Sequence, residues 1–209
     1  MSTHKRVLAA AFQVFSEHGL TATTKEIARE ARVNEVTLFR QFESKQNLVA
    51  AVTLEMLRHQ AESLARIDLE NPDLRRDVTR IAKAYDRSVS RYMGFIRALI
   101  SQPGKPDLRD RITSEAIDCF RTRFKAYLER AQSLGLVRKG RVRKMDFSVA
   151  IDAFIGMIFL GALRRDLRRQ PYSRAKYLEM CVEIFLSALL PGTCENASDR
   201  LHGRARDKT

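Results

Sequence analysis

The chain has 209 residues, 44% of them apolar, enough for a sizeable core divided between one small unit and one larger one. Its 38 Lys and Arg outnumber 25 Asp and Glu, giving a formal net charge of +13 and a sequence pI near 10.2, a balance that favours a polyanionic partner. Cys119, Cys181 and Cys194 are spaced too widely for a disulfide framework or a zinc site, and the apolar run from Ala153 to Leu163 is eleven residues, against the roughly 20 that a membrane-spanning helix needs.

The amino terminus is periodic and not continuously apolar, so no export signal is expected there and a soluble, cytoplasmic protein is. From Thr23 to Lys45 the sequence reads TTKEIAREARVNEVTLFRQFESK, which packs two short helices and a tight turn into one segment. Thr23 with Glu26 three positions later is a capping box, and the apolar pair Ile27 and Ala28 opens the buried face directly after it. Asn34 is an N-cap residue for the second helix, and Leu38 and Phe42, four apart, put one side of that helix on a core. With Leu38 set at zero and about 100° per residue, Phe42 lies near 40°, Val36 near 160° and Arg40 near 200°. Val36 and Arg40 thus point outward together, flanked by Thr37 and Phe39. A β-branched residue beside an arginine suits a major groove, where Arg takes guanine O6 and N7 and an apolar group meets a thymine methyl.

The segment from Arg6 to Val52 closely resembles the amino-terminal domain of the TetR family of transcriptional regulators. The elements that carry the likeness are the Ala10-Ala11-x-x-x-Phe15 helix ending in Glu17-His18-Gly19, the Thr23-Thr24-x-x-Ile27-Ala28 step, the run Val33-Asn34-x-x-Thr37-Leu38-Phe39-Arg40-x-Phe42, and Ser44-Lys45 before Leu48. The resemblance implies an all-α homodimer with two DNA-reading heads and a larger carboxy-terminal domain that takes a small molecule and alters the spacing of the heads. Carried over position by position, it puts Lys25, Glu35, Val36 and Arg40 near base edges and Thr24, Thr37, Gln41 and Lys45 near phosphates. Lys45 follows the cap residue Ser44, so its charge adds to that of a helix N-terminus. Glu35 either accepts from a cytosine amine or caps its helix.

Two departures from the family pattern stand out. Arg32 occupies the turn position where the family carries Gly, at a cost of roughly 1 kcal/mol if the turn is left-handed. Phe39 stands where the family carries Tyr, so a hydroxyl able to bond a phosphate is missing.

Beyond Val52 the sequence reads as helices throughout. The spacing predicts helices from Lys45 to about Ile67, from a cap at Asn71 with Pro72 in the first helical position to about Gln102, from Asp107 to about Leu134, from about Asp146 to Asp166, and from Ser173 to Leu190. Pro103 to Pro106, Gly135, Pro171 and Pro191-Gly192 punctuate them. These boundaries give a DNA-binding domain over 1–50, an effector-binding and dimerisation domain over 51–192, and a polar tail over 193–209 that is expected to be disordered.

Residues 1–50 hold seven basic and five acidic residues, a net of +2, which leaves +11 for the rest. Part of that excess forms two clusters, Arg138 to Lys144 and Arg164 to Arg169, which read either as solvated helix ends or as a contact for an anionic partner. The last two helices are apolar on most of their surface and need covering on several sides. A second copy packed helix pair on helix pair would do so, with Ala153, Gly156 and Gly161 permitting close approach beside Tyr177 and Phe185, in the region where family members dimerise. For an effector pocket the candidates are Tyr85, Tyr92, Met93, Ile96, Phe120, Phe124, Tyr127, Phe154 and Met157, residues that equally suit plain core. Asp152, inside an apolar run, calls for an arginine partner, a surface position or a polar ligand.

Catalysis finds no support: the chain has no Gly-rich phosphate loop, no His-x-x-x-His and no Cys-x-x-Cys, its four histidines are scattered, and no cofactor is implied. The expected function is a sequence-specific regulator, a repressor released from a palindromic operator by a largely apolar effector. The alternative is a structural DNA binder of the same fold whose carboxy-terminal domain meets a protein partner.

Overall fold

The computed structural model describes residues 2–67, 72–101, 121–137, 147–168 and 171–190. Phe120, Cys119, Cys194, the cluster from Arg138 to Lys144, the stop from Pro103 to Pro106 and the tail over 193–209 lie outside the described residues. The protein is all-α, in the order α1 (Thr3–His18), α2 (Thr24–Glu30), α3 (Glu35–Phe42), α4 (Lys45–Ala65), α5 (Leu74–Ile100), α6 (121–133 in its described part), α7 (Phe147–Asp166) and α8 (Arg174–Leu189).

Local signals set most of these boundaries. The hydroxyls of Ser2, Thr23, Ser44 and Ser173 accept from backbone amides three residues on, and Gly19 ends α1 at φ 75°, a conformation that suits a residue without Cβ. One start differs from the sequence reading. Asp73 and not Asn71 caps α5, because its carboxylate accepts from the Arg76 amide at 3.0 Å, and the helix begins at Leu74 instead of Pro72. The Asp77 carboxylate closes the same turn by accepting from the Asp73 amide at 2.9 Å.

Two apolar clusters form the interior. The head cluster gathers Val7, Ala11 and Phe15 of α1, Ile27 of α2, Leu38 and Phe42 of α3, and Leu48, Val52 and Met56 of α4, and it also takes in Tyr92 and Phe95 of α5. The body cluster joins α5, α6, α7 and α8 around Phe124, Phe154 and Phe185, with Phe154 and Phe185 stacked at 4.4 Å between centroids. Between the clusters α1 lies close on α5: a Cβ on Gly94 would sit 3.0 Å from the Ser16 carbonyl oxygen, so the small residue sets that approach. Phe12 of α1 meets Tyr92 and Phe95 edge-on at 5.1 and 6.1 Å.

Among the described residues α7 is the one helix long and apolar enough to cross a membrane, longer than the eleven-residue run suggested. Phe147, Ile151, Phe154, Ile155, Ile158 and Ala162 bury one side of it in the body core, and Val149 and Leu160 leave another side exposed.

Candidate nucleic-acid interface

The helix-turn-helix is fixed by its own backbone chemistry. The Thr23 hydroxyl accepts from the Glu26 amide at 3.2 Å and the Glu26 carboxylate accepts from the Thr23 amide at 2.6 Å, a closed capping box. The Thr23 amide and hydroxyl hold the Glu26 carboxyl below its ordinary value, against the opposing effect of burial. Ile27 and Ala28 then face the core. In the turn Arg32 stands at φ 52°, the left-handed conformation that the family pattern fills with Gly.

Arg6 of α1 clamps that turn, donating from one guanidinium nitrogen to the carbonyls of Ala31 at 3.2 Å and Arg32 at 3.0 Å. The sequence reading missed this role, since nothing local to the turn points to a residue twenty-five positions upstream. Asn34 starts α3 by accepting from the Val36 amide at 3.0 Å.

The outer face of α3 follows the angular reading. Leu38 and Phe42 are buried, while Val36 is 72% and Phe39 43% exposed and Arg40 is exposed beside them. Lys25 is exposed at the start of α2. Its neighbour Thr24 donates its hydroxyl to the Glu35 carboxylate, which fastens the first turns of α2 and α3 together. That bond bears on the Thr24 assignment. A phosphate contact that uses the Thr24 hydroxyl as donor requires opening it first, whereas Glu35 keeps its second oxygen as an acceptor.

Thr37, Gln41 and Lys45 are half-buried along the edge of the face. The Gln41 Oε1 is buried with no donor among the described residues, so only its amide nitrogen has a use at a phosphate. Burial pulls the Lys45 ammonium below the ordinary lysine value, with Glu26 opposing. The exposed face of α3 thus carries Val36, Phe39 and Arg40, on a helix of eight residues whose other side, through Leu38 and Phe42, is buried in the head.

Residues 7–52 match the family model TetR_N, described as bacterial regulatory proteins, tetR family. The HTH-type transcriptional regulator YvkB of Bacillus subtilis (strain 168) is 28% identical over 164 residues, which span 76% of this chain and 85% of that one. The matched segment is a TetR-type DNA-binding domain. A second relative of the regulator, the HTH-type transcriptional regulator YdeS of the same organism, is 29% identical over 167 residues, covering 77% of this chain and 78% of that one. The TetR fold extends through the body: FadR from Bacillus subtilis, solved in complex with stearoyl-CoA, superposes with a TM-score of 0.74 at 16% identity, covering 88% of this chain and 98% of that one. The regulator binds DNA, and the helix-turn-helix is the element that the family model matches.

In the body of the protein the pocket candidates divide. Tyr85, Met93, Phe124, Tyr127 and Phe154 are buried in the body cluster, with Met157 and Ile96 packed on it, and the rings of Phe124, Phe154 and Phe185 lie 4.4 to 6.1 Å apart. They fill space against one another, because aromatic residues at helical spacing on three facing helices meet in the centre. Tyr92 belongs to the head cluster instead.

The interface candidates divide as well. Ala153 and Gly156 are exposed on α7. Gly161 is buried because the Tyr177 ring packs on it, with the Tyr177 hydroxyl donating to the Met157 carbonyl at 2.7 Å. Phe185 is inside the body core. Gly161, Tyr177 and Phe185 therefore join α7 to α8 within one subunit.

Asp152 forms a two-pronged ion pair with Arg121. Within the basic cluster at the end of α7, Arg165 donates to the buried carboxylate of Asp86 and to the Ser90 hydroxyl, Arg174 donates to the other Asp86 oxygen, and Asp166 accepts from Arg97 at 3.0 Å. Of the described arginines in that cluster, Arg165 is thus engaged inside the fold, while Arg164 and Arg168 are exposed.

Proposed function

We propose that this regulator works as a homodimeric repressor that holds a palindromic operator and is released by a largely apolar small molecule. The observation that carries the dimer is an apolar stripe left exposed among the described residues. Val149, Ala153, Gly156 and Leu160 follow one another on α7 at spacings of four, three and four, all exposed, and Met180 and Ile184, four apart on α8, are exposed as well. A Cβ on Gly156 would meet nothing within 4 Å, so the stripe has room at its centre for another helix to approach. Two heads reading one half-site each, roughly a helical turn apart, supply the specificity that one eight-residue helix lacks.

Support for an apolar effector comes from the Bacillus subtilis FadR structure, whose ligand is stearoyl-CoA and whose fold this chain shares. The division of labour is a reading domain over 1–50 and an effector and dimerisation domain over 51–192, in the bacterial cytoplasm where the DNA lies. Val36, Arg40 and Lys25 act at base edges, and Thr37, Gln41 and Lys45 at phosphates.

The test is to incubate the purified protein with sheared genomic DNA at physiological salt, sequence the retained fragments, and repeat with Leu160→Glu/Ile184→Glu. The wild type is expected to be a dimer by light scattering and to enrich a few sites sharing a short inverted repeat. The variant is expected to be monomeric and to lose that enrichment. Sequence-blind retention by the wild type, or an intact dimer in the variant, defeats the reading.

A further inference from the structure

A cavity of about 300 Å³ opens where α1, α4 and α5 meet, between the head and the body. Its volume is at the lower end of what small-molecule sites need. Phe12 of α1, Met56 of α4 and Tyr92 of α5 give it an apolar floor. The rim is cationic: Lys5 comes from α1, Arg58 from α4 and Arg91 from α5, with Glu55 as the acidic member. Arg58 is already held, donating to both Glu55 oxygens and to Glu62. Lys5 and Arg91 enter no ion pair among the described residues. Glu55 is near enough to feel the charge of Lys5 but is bonded to Arg58, and Arg91 lies over the Tyr92 ring at 5.5 Å, so two cations on different helices border one apolar hollow whose single carboxylate is already engaged.

We propose that this cavity is a binding site for a small amphipathic anion, an organic carboxylate or sulfonate with its apolar part on Phe12, Met56 and Tyr92 and its charge between Lys5 and Arg91. The site is separate from the aromatic core of the body. Its occupant also sets the angle of the head. α4 leaves the helix-turn-helix directly after the Ser44 cap, and α1 rests on α5, so a molecule wedged among the three changes how α3 is presented to DNA. This second step rests on the DNA-reading role proposed above. The first does not.

The probe is 8-anilinonaphthalene-1-sulfonate, titrated into the full-length protein by fluorescence, with uncharged N-phenyl-1-naphthylamine as the comparison. Ala9→Phe fills the cavity from α1, and Lys5→Gln/Arg91→Gln removes the free charges from exposed positions where folding is not at risk. Saturable binding is expected to weaken about tenfold in Ala9→Phe, a change of about 1.4 kcal/mol. The charge variant is expected to lose about fivefold for the sulfonate and little for the neutral probe. Sulfonate binding unchanged in both variants overturns the site, as does a charge variant that loses DNA affinity while keeping the probe, since its cations would then serve phosphates. For the second step, saturating sulfonate is expected to change affinity for retained DNA about threefold or more in the wild type and not in Ala9→Phe. Equal DNA affinity with and without bound probe overturns the coupling and leaves the site standing. Sequence-blind DNA binding would bear on the proposed function alone, because the titration needs no DNA.

Discussion

Arg32→Gly is expected to stabilise the protein. Arg32 sits at φ 52°, where an L-residue with a Cβ is strained by about 1–2 kcal/mol. Every backbone bond at the position survives the change: the Arg32 amide still donates to the Arg29 carbonyl, the Val33 amide to the Ala28 carbonyl, and the Arg32 carbonyl still accepts from Arg6. The side chain is exposed and has no recorded partner among the described residues, so nothing folded is lost. Against the relief stands the extra freedom of Gly in the unfolded chain, about 0.5–1 kcal/mol. The net gain is about 0.5–1 kcal/mol, or roughly 1–4 °C in Tm for a chain of this size. Thermal unfolding followed by circular dichroism measures it, and a Tm that is unchanged or lower refutes the strain argument.

The same variant also decides whether the arginine serves DNA. If Arg32 reaches a phosphate, the slope of log K against log salt becomes shallower by about 0.9 when it is removed. If the arginine is only a solvated side chain on a strained turn, stability rises and the slope holds.

Arg40→Ala is expected to weaken binding to the preferred site by about 1–3 kcal/mol while sparing nonspecific DNA, and Lys45→Ala to weaken all DNAs alike with a flatter salt slope by about one; competition binding at several salt concentrations separates the two, and equal losses on both DNAs for Arg40→Ala reject its role as a base reader. Gly161→Ala drives a methyl into the Tyr177 ring, which its hydroxyl bond to Met157 and its stacking on Tyr172 hold in place, so it should cost about 1–3 kcal/mol and lower Tm, and an unchanged Tm means that the ring yields. Burial pushes the Asp77 carboxyl up, but the Arg76 guanidinium, the Asp73 amide and the Tyr127 hydroxyl outweigh it and hold it below its ordinary value of 3.8. A depressed folded value gives stability that is full above the unfolded value and lost as pH falls through the folded one. The stability gap between wild type and Asp77→Asn, from urea unfolding, should therefore be widest near neutral pH and close below pH 3.8, and a gap that does not vary with pH contradicts the assignment.

What the sequence made legible divides along the range of the interactions. The caps at Thr23 and Asn34 and the outward Val36 and Arg40 depend on residues within one or two turns, and the helical repeat places them. The start of α5 was misplaced because two cap residues, Asn71 and Asp73, stand two positions apart and only the backbone path selects between them. The bond between Thr24 and Glu35 and the grip of Arg6 on the turn cross from one helix to another, so no periodicity announces them. The apolar helices α7 and α8 were harder for a related reason. A helix apolar on most sides carries no signal for which side faces its own subunit, and so Gly161 and Phe185 were assigned outward while Val149, Leu160, Met180 and Ile184 are the exposed residues. The aromatic pocket candidates failed to separate from core because both uses ask for the same residues at the same spacing.

A boundary near residue 50 follows the chain and not the packing. The head cluster runs past it through Val52 and Met56, and it is completed by Tyr92 and Phe95, which α5 supplies from the body. The head is thus not a bead on a flexible link, since turning it away from α5 would expose Phe95, which is fully buried, along with Phe12 and Phe15 packed on it. Movement that preserves this core has to carry α5 along or slide α1 on it, and Gly94 against Ser16 leaves little slack for a slide. On this geometry an effector signal of the kind proposed would have to reach α3 by a shift of α5 and α4 together, and the positions where it could be intercepted are those that line their junction with α1.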